Sequence, residues 1–180
     1  MTADWHSIGY EDAARGEAST RMTAHREACA KHGITPEIRK YKRGHEEGLV
    51  VFCTGSSGYN RAQSGYQYQG ICPQALEADF LEGYKAGREI YLVRTEVERL
   101  ESRQNSLEQE QERIKTEIKE KEAELFDSDK TERQRRKIYQ DISLLNERQG
   151  SLLQERDELI RKLSEGEAEL RKLHSRSNYF

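Results

Sequence analysis

Apolar residues in the second half of the chain recur at alternating steps of four and three. This heptad spacing places them on one side of an α-helix, where they can pack against another helix. The first series is Val93, Val97, Leu100, Gln104, Leu107, Gln111, Ile114, Ile118, Lys121 and Leu125. The second series is Ile138, Ile142, Leu145, Gln149, Leu152, Arg156, Leu159, Leu163, Gly166, Leu170 and Leu173. Two long helices are therefore predicted, each with one seam.

The two series are out of phase, because the first, continued beyond Leu125, would place polar residues in the seam. A turn over residues 126–131 removes this conflict. Asp129 can cap the helix that follows, and Glu132 can complete a capping box. We predict an antiparallel coiled-coil hairpin over residues 91–180. The alternative is one continuous helix that dimerises in parallel, because the proposed turn contains neither Gly nor Pro.

Folding the chain at this turn aligns the two seams along their length. Opposed pairs are Leu125 with Ile138, Ile118 with Leu145, Leu100 with Leu163, and Val93 with Leu170. The same register sets Gln111 against Leu152 and Arg156 against Leu107. Long polar side chains at such positions weaken a seam but disfavour shifted alignments, and they extend outward to water. A hairpin with partly wet seam positions can also form a homodimer.

Composition divides the chain near residue 90. The first part holds all three cysteines, both prolines and all but two of the thirteen glycines. Some glycines lie four residues apart and leave one helix face without side chains, which indicates close backbone packing. They are Gly44 and Gly48, and Gly83 and Gly87. The fold class is therefore predicted as all-α, with a small Gly- and Tyr-rich helical head over residues 1–90.

The segment between Cys53 and Cys72 is rich in Gly, Ser and Tyr, and an irregular loop or short hairpin is predicted. A Cys53–Cys72 disulfide would close it at its base and contribute about 3 kcal/mol on the chain-entropy model. Pairing of Cys29 with either cysteine is the alternative. Aromatic and basic residues of the loop form a candidate binding surface, with core packing an equally weighted interpretation of the tyrosines. The surface residues are Tyr59, Arg61, Tyr66 and Tyr68.

His25, Cys29 and His32 share one helix face and form a weak candidate metal site. No Cys-x-x-Cys pair accompanies them, so an exposed histidine pair beside a buried or bridged cysteine is preferred. No metal, cofactor or catalytic residue is predicted.

Charged residues make up 35% of the chain, yet the net charge is only -3 because acids and bases are mixed. This balance gives no field that would attract a phosphate backbone, so nucleic acid is not a predicted partner. No stretch approaches the roughly 20 apolar residues of a membrane span.

The head also carries a specific pattern of aromatic residues, glycines and cysteines. Its elements are Trp5-x-x-x-Gly9, His25-x-x-x-Cys29-x-x-x-Gly33, Tyr41-x-x-Gly44-x-x-x-Gly48-Leu49, Phe52-Cys53, Gly58, Gly65, Tyr68, Cys72-Pro73 and Phe80-x-x-x-Tyr84-x-x-Gly87. This pattern resembles a family of bacterial lipoproteins known as domain of unknown function 2799, over the first half of the chain.

The resemblance implies an exported Gram-negative envelope protein, periplasmic and lipid-anchored to the outer membrane in its native form. Its contact with the membrane would be through a lipid anchor that these 180 residues do not include. An oxidising periplasm favours a disulfide over thiol or zinc chemistry. The resemblance implies no activity and no catalytic residues.

These features predict a non-enzymatic protein that binds an envelope protein partner, or spans a gap, through its coiled-coil arm. The arm tip would be Phe126, Asp127, Ser128 and Asp129. Two alternatives are binding of cell-wall glycan or a small ligand by the head loop, and metal or redox sensing through the Cys/His helix. An enzyme would need a concave polar site in the head.

Overall fold

The chain forms six α-helices and one short 3-10 turn in a computed structural model that describes residues 3–177 and residue 179. The helices are α1 (Trp5–Ala14), α2 (Met22–Ala30), α3 (Ile38–Phe52), α4 (Gly55–Gln63), α5 (Gln74–Leu125) and α6 (Glu132–Arg176). The 3-10 turn, Ser19–Arg21, precedes α2. These described residues contain no strand, so the all-α prediction is confirmed.

The structure divides into two compact units. The head unit comprises Met1–Leu92 and Leu173–Phe180, and the arm unit comprises Val93–Lys172. Helix α5 contributes its N-terminal part to the head unit and its remainder to the arm unit.

Helices α1 and α3 cross at glycines that allow their backbones to touch. A Cβ atom at Gly9 would collide with the Tyr41 carbonyl oxygen, and one at Gly44 with the carbonyl oxygen of His6. A Cβ at Gly48 would lie 2.8 Å from the Ala13 Cβ. Since any side chain here would force the helices apart, the four-residue spacing on α3 serves close packing.

Helices α4 and α5 meet in the same way within the head unit. A Cβ at Gly58 would collide with the Phe80 carbonyl oxygen, and one at Gly83 with that of Gly55. A Cβ at Gly87 would lie 3.0 Å from the Ala62 Cβ, just as Gly48 abuts Ala13 in the first pair.

The two helix pairs are an internal repeat that is also visible in the sequence. Gly9-Tyr-Glu-Asp-Ala-Ala-Arg-Gly16 corresponds to Gly58-Tyr-Asn-Arg-Ala-Gln-Ser-Gly65. Both segments end at a glycine in the left-handed region, with φ of 87° at Gly16 and 81° at Gly65. Each of these glycines packs against an aromatic ring, Phe52 for the first and Tyr91 for the second.

The segment between Cys53 and Cys72 begins with a helix, α4, and is not irregular along its whole length. This part of the fold prediction is therefore wrong. Thr54 caps α4 by accepting a hydrogen bond from the Ser57 amide at 3.2 Å. Glycine costs helix stability, but here it admits the backbone of α5, and this tertiary contact outweighs the low propensity. The irregular stretch is confined to residues 64–73.

A disulfide joins Cys53 to Cys72, with Cα atoms 5.7 Å apart, and Cys29 is free. The predicted pairing is confirmed and the alternative through Cys29 is wrong. Both bridged cysteines are buried beside Phe52 and Phe80, whose rings stack with centroids 5.1 Å apart.

In the arm unit, α5 and α6 pack through the two series of seam residues. Every predicted seam position within this unit is buried or half-buried. The most buried are Leu107 and Leu152, both at 0% exposure. Ion pairs flank the seam. The residue number of the α6 partner decreases as the residue number of the α5 partner increases, as expected for antiparallel helices. They join Arg103 to Glu155, Glu110 to Arg148, and Lys121 to Asp141.

The chain is not one continuous helix, because residues 126–131 separate α5 from α6. Thr131, rather than Asp129, caps the start of α6: its hydroxyl accepts a hydrogen bond from the Gln134 backbone amide at 3.4 Å. The Gln134 side-chain oxygen accepts from the Thr131 amide at 2.8 Å. This capping box lies two residues after the predicted Asp129–Glu132 pair and is adjacent to the first helical residue.

Polar seam positions are only partly hydrated. The Nε2 atom of Gln111 and the Nε atom of Arg156 are buried and make no hydrogen bond to any residue that the structure describes. A buried donor without an acceptor costs about 1–3 kcal/mol.

We expect Gln111→Leu to raise the free energy of unfolding of the arm unit by about 1–2 kcal/mol, because it removes this donor and adds apolar contact with Leu152. Heat denaturation followed by circular dichroism measures the change. Gln109→Leu, at an exposed position on the same helix, is the matched control and should have little effect. Equal stabilisation by both variants would contradict the assignment.

Gly44→Ala should lower the stability of the head unit by about 1–3 kcal/mol, because the added methyl group meets the backbone of α1. Gly83→Ala should have a similar effect in the second helix pair. Gly150→Ala supplies the control, since nothing lies within 4 Å of its Cβ position and alanine is the better helix former. A neutral result at both Gly44 and Gly83 would exclude close helix packing at these sites.

Candidate functional site

A buried carboxylate joins three helices of the head. Asp12 on α1 is 4% exposed, and its Oδ2 atom accepts a 2.8 Å hydrogen bond from the Tyr41 hydroxyl of α3. His25 on α2 approaches the same oxygen through Nε2 at 2.7 Å. Burial and the hydrogen bond to Asp12 raise the pKa of Tyr41 well above its ordinary value. The hydroxyl therefore remains a donor over the whole neutral range.

His45 extends this cluster. Its ring stacks on that of Tyr41 with centroids 5.9 Å apart, and its Nε2 atom lies 2.9 Å from the Glu17 carbonyl oxygen. The imidazole is 5% exposed. Asp12, Tyr41, His25 and His45 thus satisfy one another and the nearby backbone, an arrangement that fixes the positions of α1, α2 and α3.

The candidate metal ligands on α2 do not assemble. His25 faces Asp12, while His32 is exposed beyond the end of the helix and Cys29 is half-buried. Within residues 3–177 and 179, no group of three or more His, Cys, Asp or Glu side chains could hold a metal ion.

The tyrosines of the candidate binding surface fill different structural roles. Tyr59 is 2% exposed and stacks on Tyr179 with centroids 5.1 Å apart, so its assignment to an exposed surface is wrong. Its backbone carbonyl oxygen occupies the space that a Cβ atom at Gly87 of α5 would need, so the two helices pack closely at this point. The hydroxyl of Tyr68 donates to Glu77 at 3.0 Å and accepts from the Cys72 amide at the same distance.

Arg61 and Tyr66 connect the two helix pairs. The Arg61 guanidinium lies 4.7 Å from the centre of the Phe52 ring and donates to the Ala14 carbonyl oxygen at 3.2 Å. The Tyr66 hydroxyl donates to the Gly16 carbonyl oxygen at 3.3 Å. An open hollow of about 670 Å³ lies beside them. It is lined by Ser57, Asn60, Arg61, Ser64, Gly65 and Tyr66.

One arginine organises the turn between α5 and α6. The Arg135 guanidinium donates to three backbone carbonyl oxygens: Leu125 at 2.6 Å, Asp127 at 2.6 Å and Lys130 at 3.2 Å. Phe126 is 82% exposed within this turn. The predicted tip residues Phe126, Asp127, Ser128 and Asp129 are all exposed.

Comparison with known protein families finds a match for the first part of the chain. The family model described as "Protein of unknown function (DUF2799)" matches residues 4–89. This half of the chain belongs to that family. No curated protein and no solved structure matches the chain. The DUF2799 domain therefore contains both helix pairs, the disulfide and the Asp12 cluster, whereas the Arg135 turn lies outside it.

Two functional candidates were missed in the sequence. Asp12, in the DUF2799 domain, has partners 13 and 29 residues away, and such distances give no local signal. Arg135, beyond the domain, falls at a polar position where the first heptad series would have continued, which concealed its contact with the turn. Among the helices that the structure describes, none is both long and apolar enough to cross a membrane.

Tyr41→Phe should destabilise the DUF2799 domain by about 1–3 kcal/mol at pH 7, because it leaves the buried Asp12 carboxylate without its hydroxyl donor. The pKa of Tyr41 is raised in the folded state. The contribution of its hydroxyl to the free energy of unfolding is therefore complete below pH of about 10, the ordinary pKa, and decreases as the pH rises further. Wild-type and variant stabilities should therefore converge at alkaline pH.

Urea denaturation at pH 7 and above pH of about 10 tests this convergence. Tyr139→Phe, at an exposed position, is the control for the loss of a tyrosine hydroxyl. A constant stability difference between wild type and Tyr41→Phe across this range would contradict the assigned role of the hydroxyl.

Proposed function

We propose that the protein is a non-enzymatic envelope lipoprotein whose arm binds a protein partner or spans a gap. Its α5–α6 pair acts as an antiparallel coiled-coil hairpin, and the Gly- and Tyr-rich head supplies a stable base. The single observation that carries this proposal is the exposed Phe126 ring in a turn fixed by Arg135.

A fixed turn lowers the cost of binding, because little conformational freedom remains to be lost when a partner docks. Arg135 donates from three nitrogen atoms to carbonyl oxygens at the last residue of α5 and within the turn. Lys130 pairs with Glu124 at 2.7 Å and adds a further contact between the turn and α5. An aromatic ring on such a support is a typical anchor in protein interfaces.

The seam contacts support the coiled-coil interpretation. Gly166 lies against Val97, with only 2.8 Å between a Cβ built at Gly166 and the Val97 Cγ2 atom. This contact agrees with the register that sets Leu100 against Leu163. The family resemblance and the Cys53–Cys72 disulfide support a periplasmic location, since disulfides persist in oxidising compartments.

Photocrosslinking in the native host tests the proposed role of the tip. A photoreactive residue at Asp127 should give a specific protein adduct, whereas one at exposed Gln109 on α5 should not. Phe126→Ser should remove the adduct and Ser128→Ala should retain it. Fractionation of the same cells should place the protein in the envelope.

A third probe at Gln67, on the exposed irregular segment of the head, distinguishes the alternatives. Adducts from Gln67 alone, with none from Asp127, would contradict a partner-binding tip. Recovery of the protein in the cytoplasm would contradict the envelope assignment.

The hollow beside Arg61 and Tyr66 favours a second candidate, binding of cell-wall glycan. Its Ser57, Asn60 and Ser64 side chains offer hydroxyl and amide groups that sugars can use. Co-sedimentation with isolated peptidoglycan should then be reduced by Asn60→Leu and unaffected by Gln109→Leu. Equal sedimentation of both variants and wild type would exclude this site.

A further inference from the structure

A second heptad series runs along α6 on a face that α5 leaves uncovered. Its residues are Tyr139, Ser143, Asn146, Gly150, Leu153, Asp157, Ile160 and Ser164. All eight are exposed, including three large apolar side chains at 68% (Tyr139), 42% (Leu153) and 48% (Ile160). At about 100° per residue, the centre of this series lies roughly a quarter-turn around α6 from the seam that contacts α5.

Large and small residues alternate along this second series. Tyr139, Leu153 and Ile160 occupy one heptad position, together with Asn146. Ser143, Gly150 and Ser164 occupy the other, together with Asp157. Such a face needs a partner with the opposite order of large and small residues. Its own sequence, read in the reverse direction, has that order.

We propose that this face of α6 binds the same face of a second copy in antiparallel orientation. One register opposes a large residue to a small one in each apolar layer. It sets Tyr139 against Ser164 of the second copy, Ile160 against Ser143, and Leu153 against Gly150. The remaining layer sets Asn146 against Asp157, so the amide can donate to the carboxylate.

The same register is also complementary in charge. In an antiparallel pair, residues at the same flanking heptad position of the two copies meet across the seam, and the twofold axis relates each contact to an identical one. Glu147 of each chain then faces Arg161 of the other, and Gln154 faces its own copy at the axis. A parallel pair would instead place the two copies of Glu147 on opposite sides of the seam, where neither can meet Arg161.

The surface of α6 contains a hollow where this register places a side chain. About 400 Å³ of open space lies among Tyr139, Ile142, Ser143, Asn146 and Glu147. The register directs Ile160 of the second copy to Ser143, which lines this hollow. This face of α6 is a different part of the arm from the turn at Phe126, so dimerisation here and partner binding at the tip are separate activities.

Analytical ultracentrifugation of the full chain tests the proposal. The monomer mass is 21.0 kDa, and we expect a species of twice this mass to form reversibly as concentration rises through the micromolar range. Gly150→Gln should weaken association by roughly tenfold or more, because the new side chain would overlap Leu153 of the second copy. Space around Gly150 within one chain is open, so the monomer should keep its fold.

Ser151→Gln is the matched control, because Ser151 is exposed one residue further on and points away from the series. It should leave association unchanged. Circular dichroism should show equal helix content in both variants. A chain that remains monomeric at high concentration would overturn the proposal and leave the face to another partner. Dimers insensitive to Gly150→Gln would likewise overturn it.

Charge reversal tests the orientation. Glu147→Arg alone and Arg161→Glu alone should each weaken association, whereas the double variant should restore it. The two residues are fourteen positions apart on one helix, about 21 Å along its axis, so rescue within one chain is excluded. In the monomer Arg161 instead pairs with Glu165 at 2.6 Å. Failure of the double variant to recover would overturn the antiparallel register.

Discussion

Direct contact between helix backbones is the constraint on which the head depends. At Gly44 and Gly83 a carbonyl oxygen of the neighbouring helix occupies the space that a Cβ atom would need. Apolar side chains then pack around these crossings rather than between them, with Phe52 and Phe80 stacked at the centre. A domain of this size has little apolar surface to bury, so close backbone approach and one disulfide compensate for a small core.

The arm uses a different solution, in which a narrow apolar seam carries the packing and charged residues cover the remainder. Its centre is dry at Leu107 and Leu152, although each lies beside a long polar side chain. The predicted register sets Gln111 and Arg156 against these leucines, and one buried nitrogen atom of each side chain makes no hydrogen bond to the residues that the structure describes. These polar side chains therefore lower the stability of the seam but help to define its register, as is common in paired helices.

Periodicity predicted the seam well because a heptad series is a local pattern, and the seam positions from Val93 to Leu170 are all buried or half-buried. The start of α6 was missed by two residues because Asp129–Glu132 and Thr131–Gln134 offer the same capping pattern. Helix α4 was missed because its Gly and Ser content is typical of a loop, whereas contact with α5 decides its conformation. The Asp12 cluster could not be predicted, since three separate segments must first be brought together.

The repeated helix pairs create a risk of mistaken partners during folding, because α1 and α4 offer nearly the same glycine surface to α3 and α5. Asp12 and Arg61 occupy equivalent positions in the two copies, as do Tyr41 and Phe80. If α1 paired with α5, the Asp12 carboxylate would meet the Phe80 ring and lose the Tyr41 hydroxyl. A buried carboxylate without a donor is costly, whereas the correct pairing supplies two partners. The Tyr41 hydroxyl thus favours pairing of α3 with α1, which carries Asp12, over pairing with the similar helix α4.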